Sequence, residues 1–152
     1  MTHAPSDYFC IFCNFAQGGE SEHKKQSDIV YKNEKVIAFV SPKWWVGNKG
    51  HIIVIPRKHF ENIYEIDEDY LSEVQVIGKK VAIAMKKAYE CDGISFRQHN
   101  EPAGGQDVWH YHLHVFPRYE GDNLYLNDEK TMWADEHQRE EYVKKLAPFS
   151  PK

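Results

Sequence analysis

At 152 residues, with 41% hydrophobic and 28% charged side chains, the chain has the size and composition of a soluble globular protein with one domain and one core. A formal net charge of −4 leaves no electrostatic footprint for nucleic acid, and no apolar run reaches membrane-spanning length. Three cysteines, with no basic-then-apolar leader ahead of them, point to a reducing, cytoplasmic setting rather than a disulfide scaffold.

Residues 1–7 read as a loose terminus. Cys10-Ile11-Phe12-Cys13 then places two thiols on a short knuckle, the local spacing of tetrahedral zinc sites, so two further ligands must come from elsewhere. A redox pair is the competing reading, but it would open a helix after a strand, and residues 14–26 are polar and glycine-bearing. Residues 29–32 and 36–40 predict two short strands joined by a turn at Asn33-Glu34. Residues 41–50 predict a loop whose Trp44 and Trp45 either cover a base or a partner subunit, or pack into the core. A hydrophobic strand follows at 51–56, with His51 at its start and Arg57, Lys58 and His59 beyond its end. Asp67 is the candidate cap of a helix of about 20 residues, with Tyr70, Leu71, Val74, Ile77, Val81, Met85, Ala88 and Tyr89 as its apolar stripe. Lys79, Lys80, Lys86 and Lys87 form its solvated face. Asp92-Gly93 turns into a strand at 94–98. The loop at 99–106 carries Gly104-Gly105, which can turn backbone N–H groups toward a phosphate or serve ordinary hairpin geometry.

Residues 106–118 form the most informative stretch, Gln-Asp-Val-Trp-His-Tyr-His-Leu-His-Val-Phe-Pro-Arg. Its period of two predicts a strand with His110, His112 and His114 on one face and Trp109, Tyr111, Leu113 and Val115 on the core face. Neighbouring histidines then lie about 6–7 Å apart and could share a metal if their rings converged, whereas the outer pair, about 13 Å apart, makes all three harder to place on one ion. One end histidine joined to ligands from elsewhere, with the other two free for chemistry, is the economical arrangement. Residues 119–127 are polar and aromatic, and a short helix from Asp135, with Tyr142, Val143 and Leu146 on one side, ends at Pro148. No repeat, low-complexity segment or linker divides the chain.

The His110-x-His112-x-His114 run ending in Pro117-Arg118, preceded by Asn100 and Gly105-Gln106, resembles the histidine triad (HIT) family of nucleotide-binding proteins and hydrolases. The similarity extends to the stretch from His51 to His59 and to Cys10 and Cys13, so it covers residues 10–118 and leaves 119–152 as a C-terminal extension of one 1–152 domain. The resemblance implies an α+β fold with a five-stranded antiparallel sheet, one long and one shorter helix and an N-terminal zinc knuckle, usually assembled as a homodimer. It also implies cleavage at the α-phosphorus of a purine nucleotide phosphoramidate or a dinucleoside polyphosphate through a nucleotidyl-histidine. By motif match His112 is the nucleophile, with His114, His51 and Gln106 in support. Asn100, Phe39, Ser41, Gly105, Asp107 and Val108 fall at the nucleotide, and Cys10, Cys13, His59 and His110 hold one structural Zn2+ per chain. Cys2His2 is a closed set with no open position, so such a zinc fixes one end of the histidine strand instead of acting as Lewis acid.

Two positions depart from the family pattern. Asp107 stands where the family has Ser or Thr, and a carboxylate there repels phosphate unless it turns away or pairs; orienting an imidazole or acting as an acid are its alternatives. Ser41 stands in place of a ribose-binding Asp and cannot accept two ribose hydroxyls as a carboxylate does. These departures leave open a nucleotide-binding regulatory protein with little turnover; a purely structural zinc protein is a third reading.

Overall fold

A computed structural model describes residues 2–127 and 130–151. In chain order its elements are α1 (Ile11–Ala16), β1 (Ile29–Lys32), β2 (Val36–Val40), β3 (Lys43–Trp45), β4 (Ile52–Pro56), α2 (Glu68–Ala88), β5 (Gly93–Arg97), β6 (Leu113–Arg118), β7 (Thr131–Trp133) and α3 (Glu136–Leu146). Five strands form an antiparallel sheet in the order β1-β2-β4-β6-β5, as expected for the α+β fold.

Every residue of β2 and β4 is buried, because both faces of the sheet are covered. On one face Val36, Ala38, Val40, Ile52, Val54, Leu113 and Val115 meet Val74, Ile77, Val81 and Met85 of α2. On the other, Ile37, Phe39, Ile53 and Ile55 meet Phe12 and Phe15 of α1. At about 1.5–3 kcal/mol for each large aliphatic or aromatic side chain buried, these two layers dominate the stability. Gly78 lets α2 approach β6: a Cβ there would stand 2.8 Å from Leu113 Cδ2. Asp67 occupies the α2 cap position, but its carboxylate accepts from Lys58 Nζ at 2.9 Å instead of capping the backbone. Glu68 and Asp69 at the start of α2 and Lys86 and Lys87 at its end suit the helix dipole.

Three expectations need correction. The histidine strand begins at Leu113, not at residue 106. β4 pairs with β6 only from Val54↔Leu113 onward and β5 only from Arg97↔His114, so residues 107–112 have no ladder to join. They are held irregularly, with the Tyr111 N–H donating to Phe60 O at 2.6 Å and the His110 N–H to Val108 O at 2.8 Å. Trp109 consequently misses the core and lies part-buried against the His3 ring, 5.8 Å away, whereas Tyr111, Leu113 and Val115 do face α2. The 41–50 loop contains β3, which pairs with β7 in a separate two-stranded ribbon. Trp44 is 1% exposed and donates its indole N–H to Ser41 O, so it packs in the core and is closed to a base.

The segment after residue 118 is built into the same core. Leu146 and Ala134 are buried in the α2 layer, and Arg139 of α3, itself buried, donates from Nε to Asp28 Oδ1 at 2.9 Å. Asp135 caps α3 by accepting from the Gln138 N–H, and Gln138 Oε1 accepts in return from the Asp135 N–H.

Candidate functional site

The histidines gather on the sheet face that carries α1. Cys10, the N-cap of α1, accepts from the Cys13 N–H at 3.3 Å, which turns both sulfurs to one side. His110 Nδ1 lies 3.3 Å from Cys10 Sγ and 3.5 Å from Cys13 Sγ, and His59 Nδ1 lies 3.2 Å from Cys13 Sγ. A tetrahedron with Zn–S of about 2.3 Å and Zn–N of about 2.0–2.1 Å has S···N edges of about 3.5 Å, so the four side chains fit the ion. All four ligand atoms lie within 4.8 Å of one another, a candidate metal centre of Cys2His2 type. His110 Nε2 donates to Pro56 O at 2.9 Å, which fixes the tautomer and leaves Nδ1 as a ligand. Burial, reinforced by Cys10, pushes the Cys13 thiol up to about 12 when no cation is present, as expected of two thiols crowded together.

His112 follows in the same row and is 2% exposed. Its Nδ1 lies 2.7 Å from His110 O; a carbonyl only accepts, so Nδ1 carries hydrogen and Nε2 holds the lone pair of the neutral ring. Phe12 packs edge-on against the ring at 5.4 Å. Nε2 faces outward to Asp107, whose Oδ1 is 3.6 Å away, beyond hydrogen-bond length, and whose side chain is 80% exposed. The His112 imidazole beside it holds the Asp107 carboxyl below the usual carboxylate range. His114 Nδ1 meets His51 Nε2 at 3.3 Å. Burial, and after it the charge of Arg97, pushes His51 down to about 3; burial and the neighbouring His112 lower His114 well below its ordinary value. Both therefore sit as neutral imidazoles beside the candidate nucleophile.

The remaining expected residues form the walls. Gln106 is buried, its amide donating to Glu61 O and Val108 O and accepting from the Glu101 N–H, so it locks the loop ahead of the triad. Gly105 takes φ +82°, and the His99 ring would lie 3.1 Å from any Cβ there, so this turn excludes a side chain. Asn100 accepts from the Ile63 N–H at 2.8 Å and exchanges bonds with Gln98. Ser41 is buried with its hydroxyl donating to Lys43 O at 3.1 Å, so a ribose contact would have to replace that bond. Phe39 is 0% exposed behind Phe12 and Phe15. Val108 packs part-buried on the same apolar layer.

Beside these walls lies a cavity of about 280 Å³ lined by residues that include Phe9, Ile11, Phe15, Lys24, Pro42 and Trp133. Lys24 was not anticipated. It is 6% exposed, its Nζ stands 4.3 Å from the Phe12 ring centre, and burial lowers it to about 8. Nothing distinguishes it in sequence from its polar neighbours His23 and Lys25; only the fold places it over three rings.

The HIT domain family model matches residues 22–121, and relatives agree over more of the chain. An uncharacterised HIT-like protein of Saccharolobus solfataricus is 35% identical over 136 residues, 90% of this chain and 93% of that one. A HIT-like protein from Bartonella henselae, solved with an unknown ligand, superposes with a TM-score of 0.81 at 32% identity, covering 96% of this chain and 98% of the other. A Zn-bound histidine triad family protein from Mycobacterium smegmatis, at 24% identity and a TM-score of 0.73 over 91% of each chain, shares the fold. With its triad intact and its Cys2His2 cluster assembled, the chain belongs to the histidine triad family of nucleotide-binding proteins and hydrolases.

Proposed function

We propose that this chain is a nucleotide hydrolase or nucleotidyl transferase acting at the α-phosphorus of nucleoside phosphoramidates or dinucleoside polyphosphates, with His112 as nucleophile. The observation that carries this reading is the pinned imidazole: Nδ1–H is committed to His110 O, and Nε2, on a ring only 2% exposed, turns toward Asp107, whose side chain is 80% exposed. Nε2 bonds to phosphorus as the bond to the leaving group breaks, and the leaving oxygen or nitrogen takes a proton from solvent water, which the attacking water returns in the second step. Water then attacks phosphorus, releasing a nucleoside monophosphate and restoring the ring. His51 and His114 steady the transferring group, the backbone N–H groups of Asp107 and Val108 meet its oxygens, and the Gly105 turn, whose own N–H donates to Pro102 O, holds that backbone in place with Gln106 and Asn100. The nucleoside lies toward the cavity beside Ile11, Pro42 and Trp133, with Phe39 supporting it from behind. Cys10, Cys13, His59 and His110 hold one structural Zn2+, which anchors the start of the triad and takes no part in bond making. Mixing enzyme in excess over diadenosine tetraphosphate or an adenosine phosphoramidate tests this: intact-protein mass spectrometry should find a nucleotidyl adduct on His112, and turnover without any such adduct would exclude the covalent route.

Asp107 supplies the observation favouring a second reading, a nucleotide-binding regulatory protein with slow turnover, because its carboxylate stands close to where the phosphate arrives. Two charges about 4 Å apart repel by about 1 kcal/mol in water and more where water is excluded. Asp107→Ser is therefore expected to lower KM about fivefold to tenfold with kcat nearly unchanged. Steady-state kinetics check this; a kcat loss of about a hundredfold would make Asp107 an acid in the reaction instead.

We also propose a homodimer. β5 is an edge strand of the sheet, and Phe96 on it, with Val76 and Ile83 on α2, is at least 40% exposed. Ile83→Glu combined with Phe96→Asp is expected to halve the mass measured by light scattering; an unchanged mass would place any assembly elsewhere.

A further inference from the structure

Among the described residues, four buried side-chain nitrogens have no hydrogen-bond partner: Trp45 Nε1, His51 Nδ1, Arg97 Nη1 and Arg139 Nη2. The last belongs to the pair with Asp28. The other three belong to side chains packed against one another. The Trp45 ring is 5.9 Å from that of His51, and the Arg97 guanidinium carbon lies 5.3 Å from the Trp45 ring and 5.4 Å from that of Phe116. Each buried polar group left unmet costs about 1–3 kcal/mol, so unmet nitrogens on three neighbouring side chains point to an occupant between them.

The donors define what that occupant is. An indole N–H and a guanidinium N–H can only donate, so it must accept several hydrogen bonds at once. No ion pair to Arg97 is found among the described residues, so the positive charge there is not neutralised by a carboxylate. Stacking on Trp45, Phe116 and Tyr125 accounts for the faces of the guanidinium but not for its in-plane Nη1–H. An oxyanion meets both needs, and guanidinium geometry suits a phosphate best.

Its location ties it to the triad. Arg97 lies directly opposite His114 in the β5–β6 register, so both side chains leave the same face of the sheet. His114 in turn touches His51 and stands 4.9 Å, ring to ring, from His112. The cluster thus continues the imidazole row beyond His114, at the end away from the cysteines. Tyr125, 57% exposed, lies against Arg97, its ring centre 5.8 Å from the guanidinium carbon.

We propose that Arg97, Trp45 Nε1–H and His51 Nδ1 form an anion subsite for a phosphate of the leaving group, so that the chain favours nucleotides with a polyphosphate leaving group over phosphoramidates. This rests on the reading of His112 as the nucleophile, but binding at the subsite does not. Inorganic pyrophosphate titrated calorimetrically into the metal-loaded full chain reads the subsite alone. Arg97→Met, which keeps the packing volume, should weaken binding at least tenfold, Arg97→Lys less than threefold, and Trp45→Phe, which removes a single N–H, about threefold. Equal pyrophosphate affinity in wild type, R97M and W45F would overturn the subsite and leave a water-filled pocket; W45F decides alone should R97M not fold. In turnover, R97M should lower kcat/KM for diadenosine tetraphosphate at least tenfold and for an adenosine phosphoramidate less than twofold. An equal loss on both substrates would reduce Arg97 to a structural part. If wild type turns over neither substrate, the nucleophile reading fails while the titration still decides the subsite.

Discussion

Replacing His112 by alanine is expected to lower kcat/KM by roughly 10⁴- to 10⁶-fold on every cleavable nucleotide, the scale seen when a covalent nucleophile is removed. Nothing else in the row can take over. His110 spends Nε2 on Pro56 O and directs Nδ1 at the sulfurs, while His114 Nδ1 and His51 Nε2 are engaged with one another at 3.3 Å. The loss should fall on the chemical step. The His112 ring is buried against Phe12, so the variant should melt about 5–10 °C below wild type while staying folded and keeping its metal. Measured turnover above a hundredth of wild type, with fold and metal intact, would remove His112 from the centre of the mechanism.

Stripping the metal, by chelation or by Cys13→Ser, is expected to lower the melting temperature by about 10–20 °C. Structural zinc contributes about 10–16 kcal/mol in peptides that fold only with it. Here Phe12 and Phe15 already hold α1 to the sheet, so the loss is a fraction of that, and each kcal/mol shifts Tm by about 2–4 °C at this size. The pH dependence adds a second signature. Folded without metal, Cys13 ionises at about 12 instead of 9, so the folded chain holds that proton more tightly than the unfolded one. Its stabilising effect is complete below pH 9 and is lost as the pH climbs toward 12, whereas in loaded protein the sulfurs are already thiolates and this window disappears. Thermal melts across that range with and without zinc check both points; superimposable curves would mean the cluster binds no metal.

The parts of the fold legible in the sequence were those with a long or strict period. β1 and β2 fell where two short strand-forming runs split by the turn-prone Asn33-Glu34 put them, and α2 is the 21-residue helix its apolar stripe indicated. β3 and β7 were not legible, because three-residue strands carry no period and their pairing joins positions almost ninety residues apart in sequence. The start of β6 was misjudged for a related reason: alternation persists from Trp109 to Val115, but a strand needs paired neighbours, and the pairing with β4 and β5 ends before His112. At the site, the residue types of the metal cluster could be named in advance. The inward turn of the Gln106 and Asn100 amides could not, since a polar side chain on a loop gives no sign of whether it will meet ligand or backbone. Arg97 was hidden similarly: in an edge strand it reads as a solvated charge until Trp45 and Phe116 close around it.

The Arg139–Asp28 contact joins a residue beyond the stretch that matches the family model to one inside it, and both partners are 1% exposed. A version of the chain cut back to residues 22–121 would strand the aspartate in an apolar interior with no counter-charge, a situation that typically costs about 3–5 kcal/mol. It would also leave β3 with a bare edge. For this protein the limits of the recognisable family pattern are not the limits of what must be expressed, and shortened versions chosen from that pattern should aggregate.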